Sequence, residues 1–205
     1  YNGTTWAAVD GASTPSITNV ATTALVNLNV FKERVWYIET ASLKVWYSAV
    51  GAFAGALTSL DLGSVFKRGG YLMAMGTWTV DGGQGIDDLA VFITSEGEVA
   101  VYQGTNPASS ATWELVGIFN IGAPLGRRCF LKYAGDLLIL TQDGLVPCSK
   151  ALAADRTSSA VAVSDAITGA LGDAAAMPVR AFVKNFRDEF AYHIEHKHCL
   201  VPAYI

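Results

Sequence analysis

Apolar and polar positions alternate in short runs along this chain, each run only a few residues long and broken by glycine or an acidic turn. In DLAVFITSEGEVAVYQG, Asp88 to Gly104, the runs LAVFIT and EVAVY flank Ser95, Glu96 and Gly97. A glycine after an acidic residue supplies the positive φ that a two-residue hairpin turn needs. An earlier run, VNLNVFKERVWYIE from Val26 to Glu39, is rich in β-branched and aromatic residues, with Val35 and Tyr37 alternating against Trp36 and Ile38. A polar turn near Thr40 to Ser42 and then LKVWYSAV complete a second hairpin. A third copy is DLLILTQDGLVPCS, with Asp143 and Gly144 at the turn.

The copies recur at a regular interval. Matching Tyr47 to Tyr102 gives an offset of 55 residues, and matching Thr94, Gly97 and Val99 to Thr141, Gly144 and Val146 gives 47. Further strand candidates lie between them, GGYLMAMGTWTV at Gly69 to Val80 and ATWELVGIFNIG at Ala111 to Gly122. A period of about 50 residues holding about four short strands is the size of one propeller blade. The expected fold class is therefore all-β, a partial β-propeller of about three four-stranded blades over residues 1–155. The competing reading is a β-sandwich. Each blade has two apolar faces that only its neighbours can cover, so three blades alone leave open ends.

After Ala151 the texture changes. SSAVAVSDAITGALGDAAAM is rich in Ala and Ser, with Asp165 and Asp173 as candidate caps. Beyond Pro178, Val179, Phe182, Val183, Phe186, Phe190 and Ile194 recur at helical spacing, which predicts a C-terminal amphipathic α-helix within residues 156–205. Lys184 and Asp188, four apart, add a few tenths of a kcal/mol.

Composition narrows the function. The chain has 205 residues, 51% of them hydrophobic and 16% charged, which suits a folded protein with a sizeable core. Its net charge of −4 offers no basic field for gripping nucleic acid. Cys129, Cys148 and Cys199 are odd in number and far apart, so no disulfide framework is implied. No apolar run reaches the roughly 18–20 residues of a membrane span, and YNGTTW lacks the regions of a signal peptide, so a soluble protein is expected. The start at Tyr1 inside a strand-like stretch suggests a piece of a larger protein.

Two resemblances follow from particular stretches. NVFKERVWYIE, FKRGGYLMAMGTWTVDGG, DDLAVFITSEGEVAVYQGT, IGAPLGRRCF and YAGDLLILTQDGLVP, within residues 1 to about 168, resemble the middle of a family of tail proteins from short-tailed bacteriophages and prophages. The resemblance implies a virion component near the tail tube, nozzle or hub, built on a propeller, and made in the bacterial cytoplasm. Implied partners are other tail proteins, further copies of the chain in a ring, and double-stranded DNA passing without sequence-specific binding. LGDAAAMPVRAFVKNFRDEFAYHIEHKHCLVPAYI, Leu171 to Ile205, resembles the C-terminal end of the NADH-binding flavoprotein subunit of bacterial NADH:quinone oxidoreductase. That family carries a 4Fe-4S ligand cysteine two residues before the leucine, where this chain has Gly169. The other cluster cysteines and the flavin and nicotinamide loops are absent, so nothing holds iron and no cofactor is expected.

Candidate sites are few. His193, His196, His198 and Cys199 are metal-ligand types, but on a continuous helix His198 points away from His193 and His196, and a fraying polar end is the plainer reading. Asp81, Asp87 and Asp88, with three glycines in VDGGQGIDD, offer oxygen ligands for calcium without the twelve-residue helix-loop-helix spacing, and read as a solvated connection. Arg127 and Arg128 with Lys132 suggest a channel lining or phosphate contact, with structural salt bridges preferred. No nucleophile, base and orienting acid assemble, since all three histidines fall near the C-terminus. Trp36, Trp46, Trp78, Phe92 and Tyr102 are assigned to core and intersheet packing, and Gly97 and Gly144 to turns. The expected function is noncatalytic: a structural tail component contributing to a DNA-ejection conduit. The alternatives are a tail module binding a host receptor or glycan and, remotely, an oxidoreductase fragment.

Overall fold

The computed structural model describes residues 15–81 and 86–153, together with Ala162 and Glu195. The chain divides into two units, Tyr1–Val163 and Ser164–Ile205, and the architecture below is that of the first. The described residues are mostly β-strand. After β1 (Ile17–Thr18) come β2 (Leu25–Phe31), β3 (Arg34–Glu39) and β4 (Lys44–Tyr47). Then β5 (Gly55–Ala56) pairs in parallel with β1, and β6 (Thr58–Asp61) closes an antiparallel first sheet of order β2-β3-β4-β6. The second sheet is another antiparallel meander, β7 (Leu72–Asp81), β8 (Ile86–Thr94), β9 (Glu98–Gly104) and β10 (Trp113–Asn120). The third has three described strands, β11 (Phe130–Tyr133), β12 (Asp136–Thr141) and β13 (Gly144–Pro147), followed by α1 (Cys148–Ala153).

Turn chemistry accounts for two departures from the expected pattern. The run Val26–Glu39 is two strands, because Lys32 and Glu33 both take positive φ, 47° and 60°, and fold β2 onto β3 in a two-residue turn. Between β8 and β9 the connection is three residues, Ser95–Gly97, instead of two. There the Gly97 N–H donates to the Thr94 carbonyl at 3.1 Å, and Gly97 holds φ 75°. A Cβ on Gly97 would collide with the Ile121 carbonyl oxygen, so the position needs glycine for space as well as for φ. Gly144, at φ 109°, opens β13 just after the Gln142–Asp143 turn.

The central strands β8 and β9 of the second sheet are buried on both faces, which explains why they read as almost unbroken apolar text. Along β8, Ala90 and Phe92 pack towards the first sheet, while Leu89, Val91 and Ile93 pack towards the third. Along β9, Ala100 and Tyr102 face the first sheet, and Val99 and Val101 the third. The first interface also holds Phe31, Trp36, Ile38, Val45 and Tyr47; the second holds Leu137, Ile139, Val146 and Cys148. Tyr47 and Tyr102, matched by sequence, therefore sit on opposing walls of one interface instead of at equivalent places.

β-Bulges redirect side chains between these layers. A register shift between Leu115 and Gly117 lets Trp113 and Phe119, six residues apart on β10, enter opposite interfaces. Shifts between Leu25 and Asn27 in β2 and between Leu72 and Ala74 in β7 do the same for Leu25 against Phe31 and for Leu72 against Ala74.

The first two sheets meet along their leading strands, β2 and β7. Asn29 Nδ2 on β2 donates to the Met75 carbonyl of β7 at 2.9 Å, and the Met75 N–H donates to Asn27 Oδ1 at 3.4 Å. From the third sheet's side, Arg127 Nη1 donates to the Leu72 and Met73 carbonyls at 3.4 and 3.1 Å. Asn27 Nδ2 also reaches the Arg127 carbonyl at 3.5 Å. A residue of the first sheet thus reaches the connection that leads into the third, past the edge of β7.

Candidate functional site

Near the β2–β3 and β11–β12 turns, Lys32 and Lys132 come within electrostatic reach of Asp88. Lys32, held in its turn by a left-handed backbone, places Nζ 3.2 Å from Asp88 Oδ2 and 5.7 Å from the Phe31 ring. Thr79 Oγ1 donates to Asp88 Oδ1 at 2.9 Å across the β7–β8 ladder. The Thr79 hydrogen bond, then the contact and charge of Lys32 and the charge of Lys132, hold the Asp88 carboxyl below its ordinary range, outweighing the opposite push of burial. The carboxylate thus lies between cations from both flanking sheets.

Beside it, a cleft of about 200 Å³ opens between the second and third sheets, lined by residues 77–79 of β7 and residues 132–136 of the β11–β12 hairpin. Trp78 forms its inner wall and is 6% exposed. The hairpin turns at Ala134 and Gly135, both at positive φ. Asp136 at the rim accepts hydrogen bonds from the Leu137 and Ser149 N–H groups and from the Ser149 hydroxyl, so its carboxylate anchors the start of α1. The cleft is smaller than the roughly 300–1,000 Å³ typical of ligand sites, and its lining is mixed, more apolar than polar.

The sequence-predicted residues take several different places in the fold. Trp36, Trp78, Phe92 and Tyr102 are buried between sheets, as their strand positions suggested. Trp46 is half-buried on the outer face of the first sheet, where its Nε1 donates to Glu39 Oε2 at 2.9 Å. Asp81 and Asp87 are ladder positions of β7 and β8, paired with Ile86 and Val80, so the strands run further than the expected solvated connection. Arg127 makes its hydrogen bonds to backbone carbonyls in place of the expected salt bridge, and its guanidinium lies 5.8 Å from the Tyr71 ring centroid. Arg128 is exposed. His193, His196, His198 and Cys199 lie outside the described residues, as does the helix predicted after Pro178 apart from Glu195, which is helical and exposed.

Four structural residues escaped the sequence reading. Trp113 stacks between Trp36 and Tyr102, with centroids 5.3 and 5.2 Å away. Asn27 and Asn29 are polar residues at alternating positions inside an apolar strand, a signal of buried polar contacts. Glu98 is 4% exposed, and its carboxylate accepts the Lys67 N–H at 2.9 Å and the Arg68 N–H at 2.6 Å, tying the connection between the first two sheets to the β8–β9 hairpin.

Burial also shapes the thiols. It pushes the Cys129 pKa up to about 11 and raises Cys148 further, aided by the charge of Asp136. Neither is a poised nucleophile. Among the described residues no three His, Cys, Asp or Glu side chains gather to hold a metal ion. No helix of the described residues is long and apolar enough to cross a membrane. No protein-family model and no curated protein matches the chain.

Proposed function

We propose that the chain is a noncatalytic structural component of a bacteriophage tail, in the tube, nozzle or hub, and that its sheets are blades of a β-propeller lining a DNA-ejection conduit. One observation supports the architectural part: the central strands of the middle sheet are covered on both faces, while Asn27 of the first sheet reaches Arg127 in the connection to the third, beside what we read as a common inner edge. A sandwich has two layers and no such edge. Blades suit a wall that must stay rigid, since each strand ladder is supported by the next sheet and few edges are open. The tail assignment draws on the resemblance of residues 1 to about 168, and the virion is the corresponding location. Further copies in a ring and other tail proteins are the proposed partners, with double-stranded DNA passing through unread.

The test is to induce virions from a cell encoding the chain, purify their tails and probe them with gold-labelled antibody and peptide mass spectrometry. Label on the tail and stoichiometric peptides are expected. Intact tails without the chain would overturn the assignment.

A second reading, recognition of a host glycan or receptor, is favoured by the cleft at Trp78 and Lys132, which has an indole wall, threonine hydroxyls and a cation. Glycan-array binding lost in Lys132→Ala would favour it over a purely structural role.

A further inference from the structure

As an edge strand of the second sheet, β7 pairs with β8 on one side only. Along a strand, the N–H and C=O groups of successive residues point to alternate edges. From Leu72 to Met75 the groups on the free edge are met by side chains: Arg127 donates to the Leu72 and Met73 carbonyls, Asn29 donates to the Met75 carbonyl, and Asn27 accepts from the Met75 N–H. Thr77 and Thr79 follow Met75 at two-residue steps, so their backbone groups point to the same edge. Among the described residues no hydrogen bond reaches those groups, and both residues line the cleft of about 200 Å³. Across it, Lys132 pairs with Leu137, whose side chain shares a core with Trp78, so the lysine lies on the indole's side of the cleft. Its ammonium makes no ion pair among the described residues and acts on Asp88 by charge alone. The neighbouring carboxylates are already engaged, Asp88 with Lys32 and Thr79, and Asp136 with Leu137 and Ser149.

We infer that this stretch of β7 takes an extended segment of another polypeptide as an added strand, its main chain pairing with Thr77 and Thr79 and an acidic side chain reaching Lys132. Unpaired donors and acceptors that alternate along a strand edge have another extended main chain as their complement. The step from Thr77 to Thr79 is about 7 Å, the repeat of a second strand. A sugar ring has no such repeat, which favours a peptide over the glycan of the second reading. Side chains of the added strand alternate as those of β7 do, one set turned towards Trp78 and Lys132 and the other towards the hydroxyls of Thr77 and Thr79. A carboxylate in the first set meets the ammonium that lacks a partner. The inference goes beyond the structural role and depends neither on the tail assignment nor on the propeller, because the open edge belongs to the second sheet by itself. Tails without the chain leave it standing, and failure of peptide binding leaves the structural reading standing.

The experiment selects random heptapeptides on beads against the full 205-residue chain, then titrates the selected peptides, acetylated and amidated, by fluorescence anisotropy up to about 100 μM. Peptides carrying Asp or Glu are expected, bound about tenfold more weakly by Lys132→Gln and restored in Lys132→Arg. Methylating every second peptide nitrogen tests the strand pairing itself. Methylation in one phase is expected to abolish binding and in the other phase to spare it, because only alternate amides face β7. Amide exchange at Thr77 and Thr79 is expected to slow when peptide binds. Lys132 is exposed, and unchanged tryptophan emission verifies the fold of both variants. Failure to select any peptide would overturn the inference, as would binding indifferent to Lys132→Gln and to both methylation phases, or protection confined to other amides. Glycan-array binding without peptide binding would also overturn it and assign the cleft to a sugar.

Discussion

Trp36 on β3 and Trp113 on β10 stack across the first intersheet boundary, with ring centroids 5.3 Å apart and planes 19° from parallel. Trp36 also meets Phe31, Tyr47 and Phe92, and Trp113 passes the contact on to Tyr102, so one aromatic cluster joins two sheets distant in sequence. Trp113→Ala is expected to destabilise by about 3–5 kcal/mol, the usual cost of an aromatic cavity. Trp78→Ala, in the second boundary, should cost a similar amount. Urea denaturation measures both. A change under about 1 kcal/mol at either position would mean that the rings are not structural.

The hydrogen bond from Asn29 to the Met75 carbonyl holds the leading strands of the first and second sheets together. Asn29→Ala should cost about 1–2 kcal/mol, more than an exposed substitution, because the Met75 carbonyl then loses a donor at a half-closed boundary. Its effect and that of Arg127→Ala, which releases two other β7 carbonyls, should couple. Strict additivity in a double-mutant cycle would argue against a shared inner edge.

Asp88 supplies a pH dependence of known sign. Its pKa is lowered in the folded protein, so the stability it contributes is present above the unfolded carboxylate value, about 3.9, and is lost as pH falls through the depressed folded value. The side chain is 40% exposed, so the contribution is modest, about 0.5 kcal/mol, and weakens with salt. Asp88→Asn should shrink the difference in melting temperature between pH 7 and pH 3. An unchanged difference would show that the pairing with Thr79 and Lys32 adds nothing.

Glu98 is a buried carboxylate whose oxygens accept two successive backbone N–H groups. Glu98→Ala leaves the Lys67 and Arg68 amides without those acceptors and should cost about 1–3 kcal/mol. Hydrogen exchange is the informative readout. Faster exchange confined to the Lys67 and Arg68 amides and the β8–β9 hairpin is expected, and global acceleration alone would contradict a local latch.

Cys129 and Cys148 should resist thiol reagents in the folded state, since both are buried and have raised pKa values. Labelling followed by peptide mapping should find them modified only after unfolding. Rapid native labelling of either would mean that the boundary between the second and third sheets opens readily.

The strands LAVFIT and EVAVY were legible because short β-branched and aromatic runs bounded by turn residues read as strands whatever the surrounding fold. The same holds for the hairpins at Gly97 and Gly144, where positive φ favours glycine. The turn at Lys32 and Glu33 was hidden: neither residue favours a left-handed backbone, and only the pairing of β2 with β3 imposes it. The candidate site was barely legible. Thr79, Asp88 and Lys132 belong to strands 9 and 44 residues apart, and nothing local marks them as neighbours.

By itself, then, the sequence determined strands, their two-sided apolar character and most turns, because those follow from local periodicity and backbone sterics. Tertiary structure decided which face meets which sheet. A single extra residue in a strand, as at Val116, reverses every later side chain, so Trp113 and Phe119 serve different cores despite an even spacing. It also decided that Asn27 and Arg127 meet, a contact 100 residues apart that depends on the angle between sheets and leaves no trace in any local pattern.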